Sequence, residues 1–341
     1  MKIFITGGVG FIGTNTACYF AEQGHELFLL DNFSRHGVDD NAQYLQETYP
    51  EKITILQHDV ADTDKYLTEL KKAELIIHLA GQTAVTTSIT DPQFDFHNNL
   101  VNGFNFLETV RRHNPEATLI YSSTNKVYGD LADHQLKKDE AKKQYLNVDY
   151  PQGIDEATSL DFVSPYGCSK GAVDQYFLDY ARIYDMNTVV FRQSCIYGPF
   201  QMGVEDQGWV AHFSKQFLLN QPITIYGDGY QVRDLLFVRD LVQAYEKAHQ
   251  QIEQVKGQVF NIGGGIDNAY SLLNVLELLK KKTGHEIEID FDQTRSGDQL
   301  YFVSANQKLK DVLGWEVQTA FADGLEELLG WQRKYFVEAG K

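Results

Sequence analysis

Short apolar runs alternate with amphipathic stretches along the first part of the chain. The runs that predict buried strands span 2–5, 27–30, 53–58, 75–80, 118–122 and 188–192. The stretches whose apolar spacing predicts helices span 13–23, 94–113 and 166–184. Strands that alternate with helices are typical of a parallel, doubly wound sheet, so we predict an α/β protein with a Rossmann fold.

The pattern is less regular after residue 197, where short strands are predicted at 223–226 and 287–291 and helices at 271–283 and 322–336. The charged segment 130–151 is predicted to be a surface loop or a short hairpin. We therefore predict two domains. The domain that carries the main sheet comprises residues 1–193 and about 236–266, and a smaller α/β domain comprises about 194–235 and 267–341.

Composition excludes several classes of protein. Of the 341 residues 43% are hydrophobic, but no stretch of about 18 apolar residues occurs, so we predict no membrane span. The apolar run at the N-terminus reaches Gly7 too soon for a secretory signal. The three cysteines and ten histidines show no disulfide or metal-ligand spacing, so we predict no metal site and a cytoplasmic location.

The formal net charge of −17 argues against a nucleic-acid partner. Binding a phosphate backbone requires a basic surface, which an acidic chain of this kind does not offer. A single basic pocket for a diphosphate remains compatible with this charge.

A glycine-rich turn, Gly7-Gly8-Val9-Gly10-Phe11-Ile12-Gly13, follows the first predicted strand and opens the first predicted helix. Glycine permits a tight turn and lets the backbone approach a pyrophosphate, while the helix N-terminus offers unpaired N–H groups. Because the turn stands between a strand and a helix, it predicts a dinucleotide site.

Asp31 ends the second strand, 18 residues after Gly13. A carboxylate at this position accepts hydrogen bonds from an adenosine ribose and repels a 2′-phosphate, which favours NAD over NADP. Arg35 lies nearby and leaves NADP open as the alternative.

Tyr166 and Lys170 are four residues apart at the start of a predicted helix and therefore face the same way. A cation beside a tyrosine stabilises the phenolate, which can then take a proton from a hydroxyl group. Thr124 ends a strand at the carboxyl edge of the sheet, where open α/β sheets bind their ligands. Its hydroxyl is predicted to bond the reacting oxygen.

Together these motifs resemble the extended short-chain dehydrogenase/reductase family of sugar-nucleotide epimerases and dehydratases. The resemblance spans nearly the whole chain. Its segments are 6–13, 79–82, 122–129 and 166–170. It implies that Thr124, Tyr166 and Lys170 are the catalytic set.

The resemblance also implies binding residues. Those expected at the cofactor are Gly7, Gly10, Phe11, Ile12, Gly13, Asp31, Asn32, Arg35, Asp59, Val60, Leu79, Ala80, Gln82, Asn99, Tyr166 and Lys170. Those expected at the sugar nucleotide are Thr124, Asn125, Lys126, Gln193, Arg233, Arg295 and Asp298. The two arginines are expected to clamp the diphosphate, and the smaller domain is expected to bind the nucleotide.

Asn125 and Lys126 narrow the choice within the family, because its dehydratases carry an Asp-Glu pair directly after the active-site threonine. The resemblance is closest to epimerases that invert C2 of a CDP-deoxysugar by transient oxidation and re-reduction. The chain departs from that group at Gln193-Ser194-Cys195-Ile196 and at 198–201, which puts the identity of the sugar in question.

Three other functions stay open at this point. They are a 4-epimerase of a UDP-sugar or another sugar-nucleotide oxidoreductase or dehydratase of the family, a net oxidoreductase that releases its cofactor, and a non-catalytic NAD-binding sensor. The resemblance further implies a homodimer or homotetramer, and a role in surface polysaccharide synthesis.

Overall fold

Parallel strands form the main sheet of the computed structural model, which describes residues 1–295 and 297–338. The strands along the chain are β1 (Lys2–Thr6), β2 (Glu26–Asp31), β3 (Ile53–Gln57), β4 (Leu75–His78), β5 (Thr118–Thr124), β6 (Leu136–Asp139), β7 (Gln144–Asn147), β8 (Thr188–Gln193), β9 (Cys195–Tyr197), β10 (Ile223–Tyr226), β11 (Val232–Phe237), β12 (Gln258–Ile262), β13 (Ala269–Ser271), β14 (Ile289–Asp292) and β15 (Tyr301–Phe302). The main sheet has seven strands in the order β12-β8-β5-β4-β1-β2-β3. This is the doubly wound order of the predicted Rossmann fold.

Along the chain, most of the α-helices connect these strands, and the last two follow β15. They are α1 (Phe11–Glu22), α2 (Val38–Thr48), α3 (Leu67–Leu70), α4 (Val85–Thr90), α5 (Pro92–Asp95), α6 (Asn102–His113), α7 (Pro165–Tyr184), α8 (Trp209–Leu219), α9 (Val238–Gln250), α10 (Ile252–Val255), α11 (Leu272–Thr283), α12 (Gln307–Leu313) and α13 (Phe321–Gln332). Short 3₁₀ turns include Asn125–Tyr128, and π-helical segments span Phe96–Val101 and Arg333–Glu338.

Both faces of the main sheet are buried, as its continuous apolar strands predict. Ile3 and Ile5 face one apolar layer, which includes residues of α1, α2 and α9. Phe4, between them, faces the other layer, which includes residues of α6 and α7. A third apolar cluster joins α8, α11 and α13 around the smaller sheets. The helices therefore cover the sheet on both sides and leave its carboxyl edge for a site.

The remaining strands form small sheets beside the main one. Strands β10 and β14 pair in parallel, while β11 pairs with β9, β13 and β15. Strands β6 and β7 form an antiparallel hairpin within the charged segment 130–151, which confirms the hairpin alternative. The predicted division into two domains stays a prediction, and its last residues, 339–341, lie outside the described residues.

Two helices begin two residues earlier than predicted. The first helix begins at Phe11 instead of residue 13, because Gly10 already stands at its N-cap. The helix predicted over 94–113 begins earlier, since the Asp91 carboxylate accepts a hydrogen bond from the Phe94 N–H and Pro92 occupies the first turn. It also contains the π-helical segment, which the spacing of apolar residues does not reveal.

Within residues 1–295 and 297–338, no helix combines the length and apolarity that crossing a membrane requires. The cytoplasmic location stays a prediction.

A buried ion pair joins α7 to the main sheet. The Arg192 guanidinium on β8 donates two hydrogen bonds of 2.9 Å to the Asp174 carboxylate on α7, and both side chains are at most 3% exposed. Ser123 on β5 donates a third bond of 2.7 Å to the same carboxylate. This network sets α7 against β5 and β8.

We expect Arg192→Met to lower the free energy of unfolding by about 3–5 kcal/mol, because it leaves the Asp174 carboxylate buried without its cation. Urea denaturation measures this change. The matched control is Arg182→Met, since Arg182 lies 3.7 Å from Asp179 with 73% of its side chain exposed. That control is expected to change stability by less than about 0.5 kcal/mol. Equal effects of the two substitutions would contradict the role given to the buried pair.

Candidate active site

A cavity of about 750 Å³ runs along the carboxyl edge of the main sheet. Strands β1 and β4 lie at its centre, where the strand order reverses and open α/β sheets bind ligands. One end of the cavity is lined by Asp31 and Asp59, and the other by Arg233 and Arg295. The dinucleotide turn and the expected substrate residues thus face one continuous space.

The glycine-rich turn leaves no room for a side chain at Gly8 or Gly13. A Cβ on Gly13 would lie 2.3 Å from the Gly7 carbonyl oxygen, and Gly7 itself has a φ of +67°. No side chain caps the N-terminus of α1, so its first amides point to the cavity end of the helix without a side-chain acceptor. A turn that admits no side chain at these glycines, next to an uncapped helix N-terminus, fits the pyrophosphate of a dinucleotide.

Acidic and amide groups line the ribose end of the cavity. The Asp31 carboxylate accepts hydrogen bonds from the Val9 and Phe33 N–H groups at 3.3 and 3.0 Å. Burial raises the pKa of Asp31, and these two backbone bonds oppose the rise. Asn32 donates to Asp59 at 2.7 Å, beside Val60. The Asp31 carboxylate therefore lines this end of the cavity, and its contact with a ribose stays a prediction.

Arg35 also lines the cavity. It is the residue whose positive charge kept NADP as an alternative cofactor in the sequence analysis. Its guanidinium donates to the Thr83 hydroxyl at 2.7 Å, and burial lowers its pKa. The Arg35 side chain is thus held against the loop after β4 by the uncharged Thr83 hydroxyl.

The loop after β4 forms the wall beside the turn, against Gly7. The Thr6 hydroxyl accepts hydrogen bonds from the Leu79 and Ala80 N–H groups at 3.2 and 3.1 Å. Gln82 lines the cavity beside them, but Asn99 does not. Asn99 is buried behind the wall and donates to the Gln82 carbonyl oxygen at 3.0 Å, so its place is to support the loop rather than to contact a ligand.

The expected catalytic set comes together at the centre of the cavity. Ser164 caps α7 by accepting a bond from the Gly167 N–H at 3.0 Å, and this cap starts the helix directly before Tyr166 and Lys170. Thr124 ends β5 and accepts a bond from the Lys126 N–H at 3.2 Å. Thr124, Tyr166 and Lys170 all line the cavity.

Burial dominates the electrostatics of this set. It raises the pKa of Tyr166 to about 12, against the effect of a side-chain hydrogen bond with Thr124. It lowers the pKa of Lys170 to about 7, against the effect of the Asp174 and Asp95 carboxylates. The Lys170 ammonium donates to the Ser122 carbonyl oxygen at 2.6 Å. This differs from the expectation that Lys170 lowers the pKa of Tyr166, because the lysine is directed to the backbone of β5.

The expected substrate residues form two groups. In the first, Arg233 donates to the Asp298 carboxylate at 2.6 Å, and Lys126 lies 3.8 Å from the same carboxylate. Burial, followed by repulsion from Arg233, lowers the pKa of Lys126 to about 8. Asn125 and Gln193 also line the cavity.

Arg295 belongs to the second group. It lies 2.9 Å from Asp206 and 3.3 Å from Glu205, and its guanidinium is 3.7 Å from the centre of the Tyr226 ring. In this structure both arginines therefore pair with carboxylates, and the diphosphate clamp stays a prediction.

Sequence reasoning missed several residues around the cavity. Glu205 and Tyr226 line it, and Gln299 lies buried beneath Asn125. They stand in the irregular part of the chain, where no local motif marks them. Among the described residues, no group of three or more His, Cys, Asp or Glu side chains is arranged to hold a metal ion.

Comparison with known proteins agrees with this geometry. The model of the NAD-dependent epimerase/dehydratase family matches residues 3–263. The chain belongs to this family. The predicted family, the doubly wound fold, NAD as the cofactor and the predicted enzyme class, an NAD-dependent epimerase, are thereby confirmed.

Individual relatives align over nearly their full length. The chain is 42% identical to CDP-paratose 2-epimerase of Salmonella typhi, over 97% of this chain and 99% of that protein. Among solved structures, it is similar to UDP-glucuronic acid 4-epimerase of Bacillus cereus in complex with UDP-glucuronic acid and NAD, with 25% identity, a TM-score of 0.84 and coverage of 98% and 100%. It is also similar to UDP-glucose 4-epimerase of Thermotoga maritima with UDP-glucose, with 27% identity, a TM-score of 0.82 and coverage of 98% and 99%.

We expect Gly13→Ala to weaken NAD binding on the order of ten- to a hundredfold, since an added Cβ forces the turn to shift. Calorimetric titration of NAD into protein freed of bound nucleotide measures the affinity. The control is Gly330→Ala in α13, where an added Cβ meets nothing within 4 Å. If both variants bind NAD as the unaltered protein does, the turn is not the pyrophosphate site.

Proposed function

We propose that this chain inverts C2 of the sugar in a CDP-deoxysugar, by transient oxidation and re-reduction of that carbon with NAD that stays bound. The observation that carries the chemistry is that Thr124 and Tyr166 face the same cavity as the dinucleotide turn. The choice of CDP-deoxysugar and C2 rests on the 42% identity to CDP-paratose 2-epimerase over nearly the whole of both chains.

Tyr166 has the role of moving the hydroxyl proton. In the oxidation step the Tyr166 phenolate accepts the hydroxyl proton and becomes a phenol, and in re-reduction that phenol returns the proton to the sugar oxygen, so the cycle restores both groups. Burial raises the pKa of Tyr166 to about 12, which favours the phenol, and the hydrogen bond with Thr124 opposes that rise. Bound NAD supplies the hydride acceptor and donor. Lys170 anchors the cofactor side of α7 against β5 through the Ser122 carbonyl oxygen.

Asn125 and Lys126 support an epimerase over a dehydratase. Elimination of water needs an acid and a base beside the sugar, and these two positions carry no carboxylate. Lys126 instead offers an amine whose pKa burial lowers to about 8, close to the Asp298 carboxylate. We assign Asn125, Lys126 and Gln193 to the sugar, and Arg233, Arg295 and Asp298 to the nucleotide diphosphate.

A 4-epimerase of a UDP-sugar is the second candidate. It is favoured by similarity to solved structures of UDP-sugar 4-epimerases that covers 98% of this chain. The same catalytic set serves both reactions, since only the pose of the sugar decides which carbon meets Tyr166.

The test is incubation with a panel of CDP-, UDP- and GDP-sugars, followed by NMR for inversion at C2 or C4. We expect inversion at C2 of CDP-paratose without added NAD, because the cofactor is regenerated in each turnover. Turnover of UDP-glucose alone would replace the first candidate by the second. A requirement for stoichiometric NAD would contradict both.

Tyr166→Phe is expected to lower kcat by about 10²–10⁴-fold, because the ring keeps its place and loses only the group that moves the proton. Tyr176→Phe on the same helix is the control, since Tyr176 is 43% exposed and lies outside the cavity. The rates come from the same NMR assay. Retention of activity in the Tyr166 variant would remove the tyrosine from the mechanism.

We further propose that the chain forms a homodimer or larger homo-oligomer through α7. Its outer face carries Tyr176, Ile183 and Tyr184, which are 43%, 63% and 49% exposed. Apolar side chains exposed together on one helix favour a second copy as their cover. Ile183→Glu is expected to shift the sedimenting species towards the monomer, whereas Val148→Glu, at another exposed apolar position, leaves it unchanged. An unaltered protein that sediments as a monomer contradicts this proposal.

A further inference from the structure

We propose that Gln299 is a positioning residue, which determines which end of the Asn125 amide faces Thr124 and the cavity. The role rests on the proposed function, since it concerns the hydroxyl that holds the reacting sugar oxygen. Gln299 is fully buried and does not line the cavity, so it acts on the site through Asn125.

Neighbouring groups determine the orientation of the Gln299 amide. Its Nε2 donates to the Gly129 carbonyl oxygen at 2.6 Å. A backbone carbonyl can only accept, so the NH₂ end of the glutamine must face Gly129 and the oxygen end must face the other way. Oε1 consequently points to Asn125 as an acceptor.

Asn125 is oriented in turn by this acceptor. Its Nδ2 donates to Gln299 Oε1 at 3.2 Å, which leaves Oδ1 on the side of Thr124. The Thr124 hydroxyl lies 3.4 Å from Asn125 Oδ1 and already accepts a bond from the Lys126 N–H. Asn125 therefore presents an acceptor to sugar hydroxyls and competes with Tyr166 for the single Thr124 proton. A reversed amide would present a donor instead.

The backbone of Gln299 is held independently of its side chain. Arg233 donates to the Gln299 carbonyl oxygen and to the Asp298 carboxylate, both at 2.6 Å. Lys126 donates to the Gly297 carbonyl oxygen at 3.1 Å. Substitutions of the Gln299 side chain therefore leave the segment anchored. They test only the two hydrogen bonds that run from Gly129 through Gln299 to Asn125, which we call the amide relay.

Gln299→Met keeps the volume of the side chain and removes both hydrogen bonds. We expect kcat to fall on the order of tenfold, as for the loss of one oriented hydrogen bond. In an Asn125→Ala background the same substitution is expected to have less than about a twofold effect, because the group through which Gln299 acts is gone. Unchanged turnover in Gln299→Met, or an equal loss in both backgrounds, would overturn the proposal.

Gln299→Glu separates positioning from packing. While protonated, the introduced carboxyl donates to Gly129 and accepts from Asn125, as the glutamine does; once ionised, it cannot donate. Burial raises the pKa of such a carboxyl above its usual value of about 4.3. The kcat of this variant relative to the unaltered protein is thus expected to be highest at acidic pH and to fall as pH rises. A ratio that does not change with pH argues against the relay.

A readout without substrate keeps this inference distinct from the proposed function. The side-chain NH₂ signals of Asn125, assigned in ¹⁵N NMR spectra by their absence in Asn125→Ala, report its hydrogen bond directly. We expect Gln299→Met to shift these signals and speed their exchange with solvent. If the Asn125 signals do not move, the proposed role of Gln299 is wrong. In the turnover experiments, the substrate is whichever sugar nucleotide the unaltered protein accepts.

Discussion

The buried ion pair between Asp174 and Arg192 is the interaction on which the arrangement of the site depends. Asp174 lies one helical turn after Lys170, so the helix that carries the tyrosine and lysine is fixed to β8 at this point. Ser123, next to Thr124, donates to the same carboxylate. A buried charge without its partner costs several kcal/mol, so the structure tolerates little movement of α7 relative to β5. The side chains of Thr124 on β5 and of Tyr166 and Lys170 on α7 are therefore held in fixed positions relative to one another.

Burial of Tyr166 and Lys170 also determines the pKa values of these two side chains. Desolvation raises the pKa of Tyr166 to about 12 and lowers that of Lys170 to about 7, and both effects exceed those of the nearby partners. Because little water screens this part of the cavity, nearby charges and hydrogen bonds also have strong effects on the two groups. Sequence spacing places Tyr166 beside Lys170 on the helix, but it cannot tell that the amine turns to the Ser122 carbonyl oxygen.

The predicted site residues that the structure brings to one cavity belong mostly to local motifs. The glycine turn, the Asp31 carboxylate and the pair on α7 each lie within one strand-turn-helix unit, where spacing alone determines which residues meet. Asn99, one of the residues expected at the cofactor, lies in a π-helical segment that apolar spacing does not reveal and is buried behind the cavity wall. Gln299 was missed because its contact with Asn125 joins residues 174 positions apart. Such contacts depend on the folded topology, which no local pattern encodes.

Arg233 connects the expected diphosphate site with the segment that orients Asn125. Of the five N–H donors of its guanidinium, three are engaged by Val232, Asp298 and Gln299 in the part of the chain that the structure describes. Two donors remain, so the arginine can bind a diphosphate without releasing the backbone of Gln299. The side chain expected to recognise the nucleotide thus also holds the segment that orients Asn125. Recognition of the diphosphate and orientation of Asn125 therefore share one guanidinium, which explains why an arginine suits this position better than a lysine.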